Sequence, residues 1–155
     1  MPSTVVDSPI GPLGLIASEA GLQSVLFDSG GISPEGSSPA LDEAARQLEA
    51  YFDGDLVTFD LPLELNGTEF NRGCWLALAS IPYRQTVSYG EQARRLGDVR
   101  KARAVGAANG RNPISIIVPC HRLVGSTGKL TGYGGGIERK QALLDHERGG
   151  KLLTG

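Results

Sequence analysis

The chain changes pattern at Asn66-Gly67, a dipeptide that favours a turn, and its two sides require different architectures. Before it, residues 3–7, 13–18 and 22–27 are short, partly β-branched runs. Pro9-Ile10-Gly11-Pro12 and Glu19-Ala20-Gly21 separate them, which predicts an antiparallel meander. A Ser- and Gly-rich stretch from Ser29 to Pro39 follows. Leu41, Ala44, Ala45, Leu48, Tyr51 and Phe52 then recur at helical spacing as far as Gly54.

After the turn the signals are those of short helices. Thr68 can cap a helix carrying Phe70, Cys74, Trp75 and Leu78 that must end near Pro82. Ser88 with Glu91 makes a capping box, and Gly97 terminates that helix. Asp98 can cap the next one, Val99 to Asn109, so the pair reads as a helix-turn-helix. The apolar run Ile114 to Val118 predicts a buried strand that delivers Pro119-Cys120-His121-Arg122 to solvent or a cleft. A glycine-rich segment, Gly125 to Gly136, leads to a last helix from Ile137 to Glu147. The expectation is an α+β protein of two domains. Residues 1–67 form a small antiparallel β-sheet domain with a helix, and residues 68–155 a mainly helical domain holding the helix-turn-helix and a candidate active-site cysteine.

Charge divides along the same line. Residues 1–68 carry one basic residue, Arg46, against eleven acidic ones, whereas residues 69–155 carry fourteen basic against six acidic. Arg94, Arg95, Arg100, Lys101, Arg103 and Arg111 cluster on the helix-turn-helix, which suggests a polyanion such as nucleic acid. Ala104, Gly106, Ala107 and Ala108 would let the second helix approach a groove closely, or simply pack on a neighbouring helix. Two cysteines are too few for a disulfide framework and lack metal-ligand spacing. No apolar run reaches the roughly 18 residues of a membrane span. The N-terminus lacks a basic segment followed by an apolar core, as a secretory signal would have. Together these predict a reduced, cytoplasmic protein without a structural metal.

A thiol is largely protonated at neutral pH, so a nucleophilic cysteine needs a base or positive charge nearby. His121 adjoins Cys120, and Arg122 adds charge. Strand neighbours point apart, however, so a turn or a water is required to couple sulfur and imidazole. Glu147 could hold the imidazole as a triad's third member does. An isolated Cys-His pair would otherwise read as a structural thiol beside a satisfied polar neighbour.

Around Ile117-Val118-Pro119-Cys120-His121-Arg122 the chain resembles the O6-alkylguanine-DNA alkyltransferase family. Further matching blocks are Ile81-Pro82-Tyr83, Ser88-Tyr89-Gly90-Glu91, Ala102-Arg103-Ala104-Val105-Gly106 and Asn112-Pro113. Downstream, Gly128, Leu130, Gly132-Tyr133 and Gly135-Gly136 match as well, and near the N-terminus so does Asp7-Ser8-Pro9-Ile10-Gly11-Pro12-Leu13.

The resemblance implies that Cys120 accepts the alkyl group, that His121 is a base acting through a water, and that Glu147 orients His121. It implies that Tyr89 donates a proton to the departing guanine and that Asn112 joins the helix-turn-helix to the active-site strand. Arg103 would fill the stack left by a flipped nucleotide. Ala102 and Ala104 would face the minor groove, Arg100 and Lys101 the phosphates, and Tyr133, Gly134 and the backbone of Leu123 the base pocket. No cofactor, metal or obligate protein partner is implied; the partner is double-stranded DNA carrying alkylated guanine.

Two rivals keep the same residues in view: a lesion-binding or regulatory helix-turn-helix protein that does not react, and a Cys–His hydrolase. The first would have no use for Cys120 together with His121, Tyr89 and Glu147. The second would need an oxyanion hole, for which the sequence offers no candidate. Residues 1–67 contain neither Cys nor His, so zinc ligands found there in some members of the family are missing. His146 reads as a surface helix residue rather than a second base.

Overall fold

The computed structural model describes residues 1–130, 133 and 135–149. The chain divides after Asn66 into two compact units, Met1–Asn66 and a second running from Gly67 to Gly149.

In the first unit, β1 (Ser3–Val6), β2 (Leu13–Ala17) and β3 (Leu22–Phe27) form an antiparallel sheet in the order β1-β2-β3, with a bulge at Ile16/Ala17. Helix α1 (Pro39–Phe52) starts where Ser38 Oγ accepts a hydrogen bond from the Leu41 amide at 3.1 Å, with Pro39 in its first turn. Its buried stripe of Leu41, Ala44, Leu48 and Tyr51 shares a core with Leu13, Leu15, Ala17, Leu22 and Val25. The stripe also includes Gln47, which the apolar pattern omits. Its amide bonds both ways to the Asp60 backbone, at 2.7 and 2.9 Å, so a polar group is buried without losing its partners.

The second unit holds α2 (Glu69–Leu78), β4 (Val87–Ser88), α3 (Tyr89–Arg95), α4 (Ala102–Gly110), β5 (Leu123–Val124) and α5 (Ile137–Glu147). Thr68 caps α2, as its position suggests. Ser88 caps α3 through the Glu91 amide, but the Glu91 carboxylate turns outward to Arg94 and Arg95, so only half of the capping box forms. Gly97 adopts φ +108°, a conformation that disfavours a side chain, and Asp98 then accepts from the Arg100 amide at 2.9 Å. A short 3-10 turn, Val99–Lys101, leads into α4 and completes the helix-turn-helix. Trp75 of α2 donates to the carbonyl of Ala108 at 2.8 Å and anchors the far end of α4.

The run Ile114–Val118 is buried, but it is not the expected strand. It folds back on itself: Val118 N donates to Ile114 O, Ile117 N to Ser115 O, and Ile116 sits at φ +76°. The flanking residues explain this. Asn112 Oδ1 captures the Ile114 amide, and Pro113 and Pro119 have no N–H to give a ladder. Among the described residues, no helix is long and apolar enough to cross a membrane.

Candidate active site

A two-residue parallel pairing organises the site. Val87 lies opposite Leu123 and Ser88 opposite Val124. Tyr89 follows β4 directly and Cys120-His121-Arg122 precede β5 directly, so the pairing brings the start of α3 beside the cysteine segment. Cys120–Arg122 form a 3-10 turn, so the two side chains are not placed as strand neighbours. Of the two expectations for these side chains, solvent or a cleft, open solvent is corrected: Cys120 is 4% exposed, His121 0% and Arg122 6%. The turn packs against α2 and α5.

Glu147 is the hub. Its Oε2 lies 2.6 Å from Nε2 of His121, and the Arg122 guanidinium grips both oxygens, Nε at 2.9 Å and Nη2 at 3.0 Å. The Ile81-Pro82-Tyr83 loop completes the cluster. The carbonyl of Ile81 accepts from Arg122 Nη1 at 2.6 Å, the Arg84 amide donates to Glu147 Oε1 at 3.3 Å, and the Tyr83 ring lies 5.8 Å from the guanidinium. Burial works to raise the Glu147 carboxyl, but its bonds to His121 and Arg122 outweigh that and hold it well below the usual carboxylate range. An ionised Glu147 leaves the proton of a neutral imidazole on Nε2. Burial also lowers His121 despite its carboxylate partner, which keeps the ring neutral. Its Nδ1 is buried and has no partner among the described residues. Arg122, expected to charge the thiol's surroundings, is instead committed to Glu147.

Burial pushes the Cys120 thiol above its ordinary value, while the side chains of Asn112, Ser115 and Tyr133 and the charge of Lys140 pull it back. Asn112 donates to Val118 O at 2.8 Å. Tyr133 is half-buried in the same surroundings, and its own hydroxyl is raised well above the ordinary range, chiefly by burial. Leu123 is 1% exposed and continues the segment as extended chain. Gly134 lies outside the described residues.

Lys140 is the residue that reading the sequence missed. It is fully buried on α5, with Nζ 3.4 Å from the Tyr89 hydroxyl and 5.7 Å from the centre of that ring. The available signal was helical register. Lys140, Leu143, Leu144 and Glu147 share one face, and a lysine on a buried stripe is seldom there for packing. Ser115 and Asn109 were also missed; Asn109 Nδ2 donates to the carbonyl of Cys120 at 3.3 Å. His146, expected at the surface, is 5% exposed and thus buried against the unit's core.

On the helix-turn-helix, Arg103 and Ala104 are exposed and Ala102 partly so. Arg103 has no hydrogen-bond or ion-pair partner among the described residues. Arg100 bonds Asp98 at 3.1 and 3.2 Å, and Lys101 lies over the Phe70 ring at 5.7 Å. The small residues divide between both readings: Ala104 and Ala107 point outward, Ala108 is core, and Gly106 abuts the Tyr89 ring. Among the described residues, no group of three His, Cys, Asp or Glu side chains could hold a metal ion.

Residues 69–149 match the family model for the DNA binding domain of 6-O-methylguanine DNA methyltransferase, and residues 1–65 that for its ribonuclease-like domain. The methylated-DNA–protein-cysteine methyltransferase of Mycobacterium bovis is 51% identical over 148 residues, 92% of this chain and 90% of that protein. Its counterpart in Methanosarcina acetivorans is 48% identical over 149 residues, 92% and 96% of the two chains. The crystal structure of Mycobacterium tuberculosis OGT in complex with DNA is 50% identical and superposes with a TM-score of 0.86, covering 94% of this chain and 91% of that one. Since both units match, the chain belongs to the 6-O-methylguanine DNA methyltransferase family.

Proposed function

We propose that this protein repairs DNA by direct reversal, moving the alkyl group of an O6-alkylguanine onto Sγ of Cys120 in one irreversible transfer. The observation that carries the reading is the geometry of His121. Its Nε2 is fixed by Glu147, its Nδ1 is unpartnered among the described residues, and it adjoins a buried thiol in sequence. A thiol raised by burial needs a base in place, and Nδ1 is that base, reached through a water.

In the transfer, sulfur attacks the alkyl carbon, the C–S bond forms as the bond from carbon to O6 breaks, and the bonding pair passes to guanine. The thiol proton goes to His121 Nδ1. Guanine leaves poorly as an anion, so the Tyr89 hydroxyl gives its proton to the ring. The Lys140 ammonium, 3.4 Å from that oxygen, offsets the negative charge left behind. The products are unmodified guanine and an S-alkylcysteine. Among the described residues no group is placed to strip an alkyl group from a thioether, so each molecule acts once.

A target base in a stacked duplex must be extruded to reach Cys120. Arg103, exposed and without a partner among the described residues, is the side chain to fill the gap, because a planar guanidinium can stack and hydrogen-bond at once. Ala102 and Ala104 let α4 lie close to the minor groove, where contacts carry little sequence information, as repair at any sequence demands. Lys101 and Arg100 contact phosphates. Tyr133 and the backbone of Leu123 line the base pocket, and Asn112 braces the cysteine segment.

The test is peptide mass spectrometry after incubation with duplex DNA containing O6-methylguanine. One methyl mass on the Cys120 peptide, saturating at one per molecule, is expected. Cys120→Ser should bind DNA and transfer nothing. A label on Cys74, or repeated turnover, would refute the assignment.

A further inference from the structure

We infer that Asn109 is a positioning residue that ties the acceptor cysteine to the DNA-facing helix, holding Sγ of Cys120 at a set distance from Arg103. The inference rests on the alkyl-transfer reading above. Asn109 lies in the last turn of α4, 5% exposed, and its Nδ2 donates to the Cys120 carbonyl. Asn112 donates to the Val118 carbonyl. The two amides thus grip the chain on either side of Pro119, a residue with no N–H of its own.

The cysteine segment needs such a grip. Among the described residues, the backbone-to-backbone bonds made between Ile114 and Cys120 are local turns, continued by the Arg122 and Leu123 amides, and no sheet ladder runs along the segment. Helix α4, by contrast, is anchored where Trp75 holds the Ala108 carbonyl. Arg103 stands six residues before Asn109, roughly 9 Å along the helix axis. One rigid element therefore carries the side chain that enters the stack and the amide that holds the acceptor.

Asn109 is also a poor choice for stability alone. Its Oδ1 is buried with no partner among the described residues, a defect that a leucine of similar volume would remove. A role confined to packing would favour the apolar side chain.

The experiment is Asn109→Leu in the full chain. It compares single-turnover transfer from duplex O6-methylguanine and from free O6-benzylguanine, affinity for undamaged duplex, and the thermal midpoint. Duplex transfer should fall about 10- to 100-fold, the scale of a misplaced reacting group. Free-base transfer should fall less, because a diffusing base is not delivered by Arg103. Affinity for undamaged DNA should be unchanged and the midpoint no lower than wild type.

A wild-type duplex rate, or a rate loss that merely follows a lowered midpoint, would overturn the inference. Asn109→Ala removes the donor without adding bulk or charge. It should show the same selective loss, and it decides the matter if the leucine variant does not fold. Failure of the wild-type chain to methylate Cys120 would instead refute the parent reading, so the two failures are separable.

Discussion

Nε2 of His121 lies 2.6 Å from Oε2 of Glu147, and the exposures of the two side chains are 0% and 1%. The same carboxylate neutralises Arg122, so one acidic group serves a base and a buried cation at once. Glu147→Gln should therefore have two effects. Transfer should slow by at least about 100-fold, because a neutral amide no longer fixes the tautomer with a free Nδ1. Stability should fall by about 3–5 kcal/mol, because the Arg122 charge stays buried without its counter-ion. Single-turnover kinetics and urea unfolding measure the two. Loss of rate without loss of stability would mean that Arg122 does not depend on Glu147.

Acid and alkali should each destabilise the fold, leaving a plateau between. His121 is lowered in the fold from an ordinary 6.5, chiefly by burial, so below about pH 6.5 the unfolded chain binds a proton that the folded one refuses. Glu147, held low by His121 and Arg122 against its burial, adds a second loss below about pH 4.5. Cys120 is raised from 9.0 by burial, so its contribution is present below that pH and lost above it. Each group contributes a slope of up to about 1.4 kcal/mol per pH unit in its window. Denaturant unfolding from pH 4 to 10 should give greatest stability between about 6.5 and 9. A maximum near pH 5 would contradict a neutral, buried His121.

The basic cluster is less free than its composition suggests. Arg94 and Arg95 are tied to Glu91, and Arg100 to Asp98, whereas Arg103 is unpaired among the described residues. Glu91→Gln should release two arginines, tighten binding to undamaged duplex, and steepen its salt dependence by about 0.9 for each new phosphate contact. Arg103→Ala should slow repair in duplex while sparing transfer from a free base. Binding measured from 50 to 200 mM salt tests the first, and unchanged affinity would show that neither arginine reaches a phosphate.

What could be read from the sequence was local. Thr68, Ser88, Gly97 and Asp98 act on amides or dihedrals within three residues of themselves, so their spacing revealed the helix-turn-helix. The strand expected over Ile114–Val118 failed because an apolar run reports burial and not backbone shape. There the decisive agents were the Asn112 side chain and two prolines. The Asn109–Cys120 bond and the Lys140–Tyr89 contact join residues 11 and 51 positions apart, so no window along the chain reveals them. Family resemblance named Cys120, His121, Tyr89 and Glu147; it did not name the buried lysine beside them.

That lysine supports a last expectation. Lys140 is fully buried, near the Tyr89 hydroxyl, and its charge draws the Cys120 thiol downward against burial. Methionine has a similar length and no charge, so Lys140→Met should keep the fold and remove the field. With the field gone, one of the influences that oppose burial is lost, and alkylation of Cys120 by iodoacetamide should require a higher pH than in wild type. Transfer from duplex O6-methylguanine should slow as well, since the Tyr89 oxygen loses the cation beside it as it gives up its proton. The two readouts separate the roles. An alkaline shift in the iodoacetamide profile reports on the thiol, and a slower transfer beyond that shift reports on Tyr89. If neither moved, the ammonium would be a structural charge satisfied by its neighbours, and the sulfur would owe its reactivity to His121 alone.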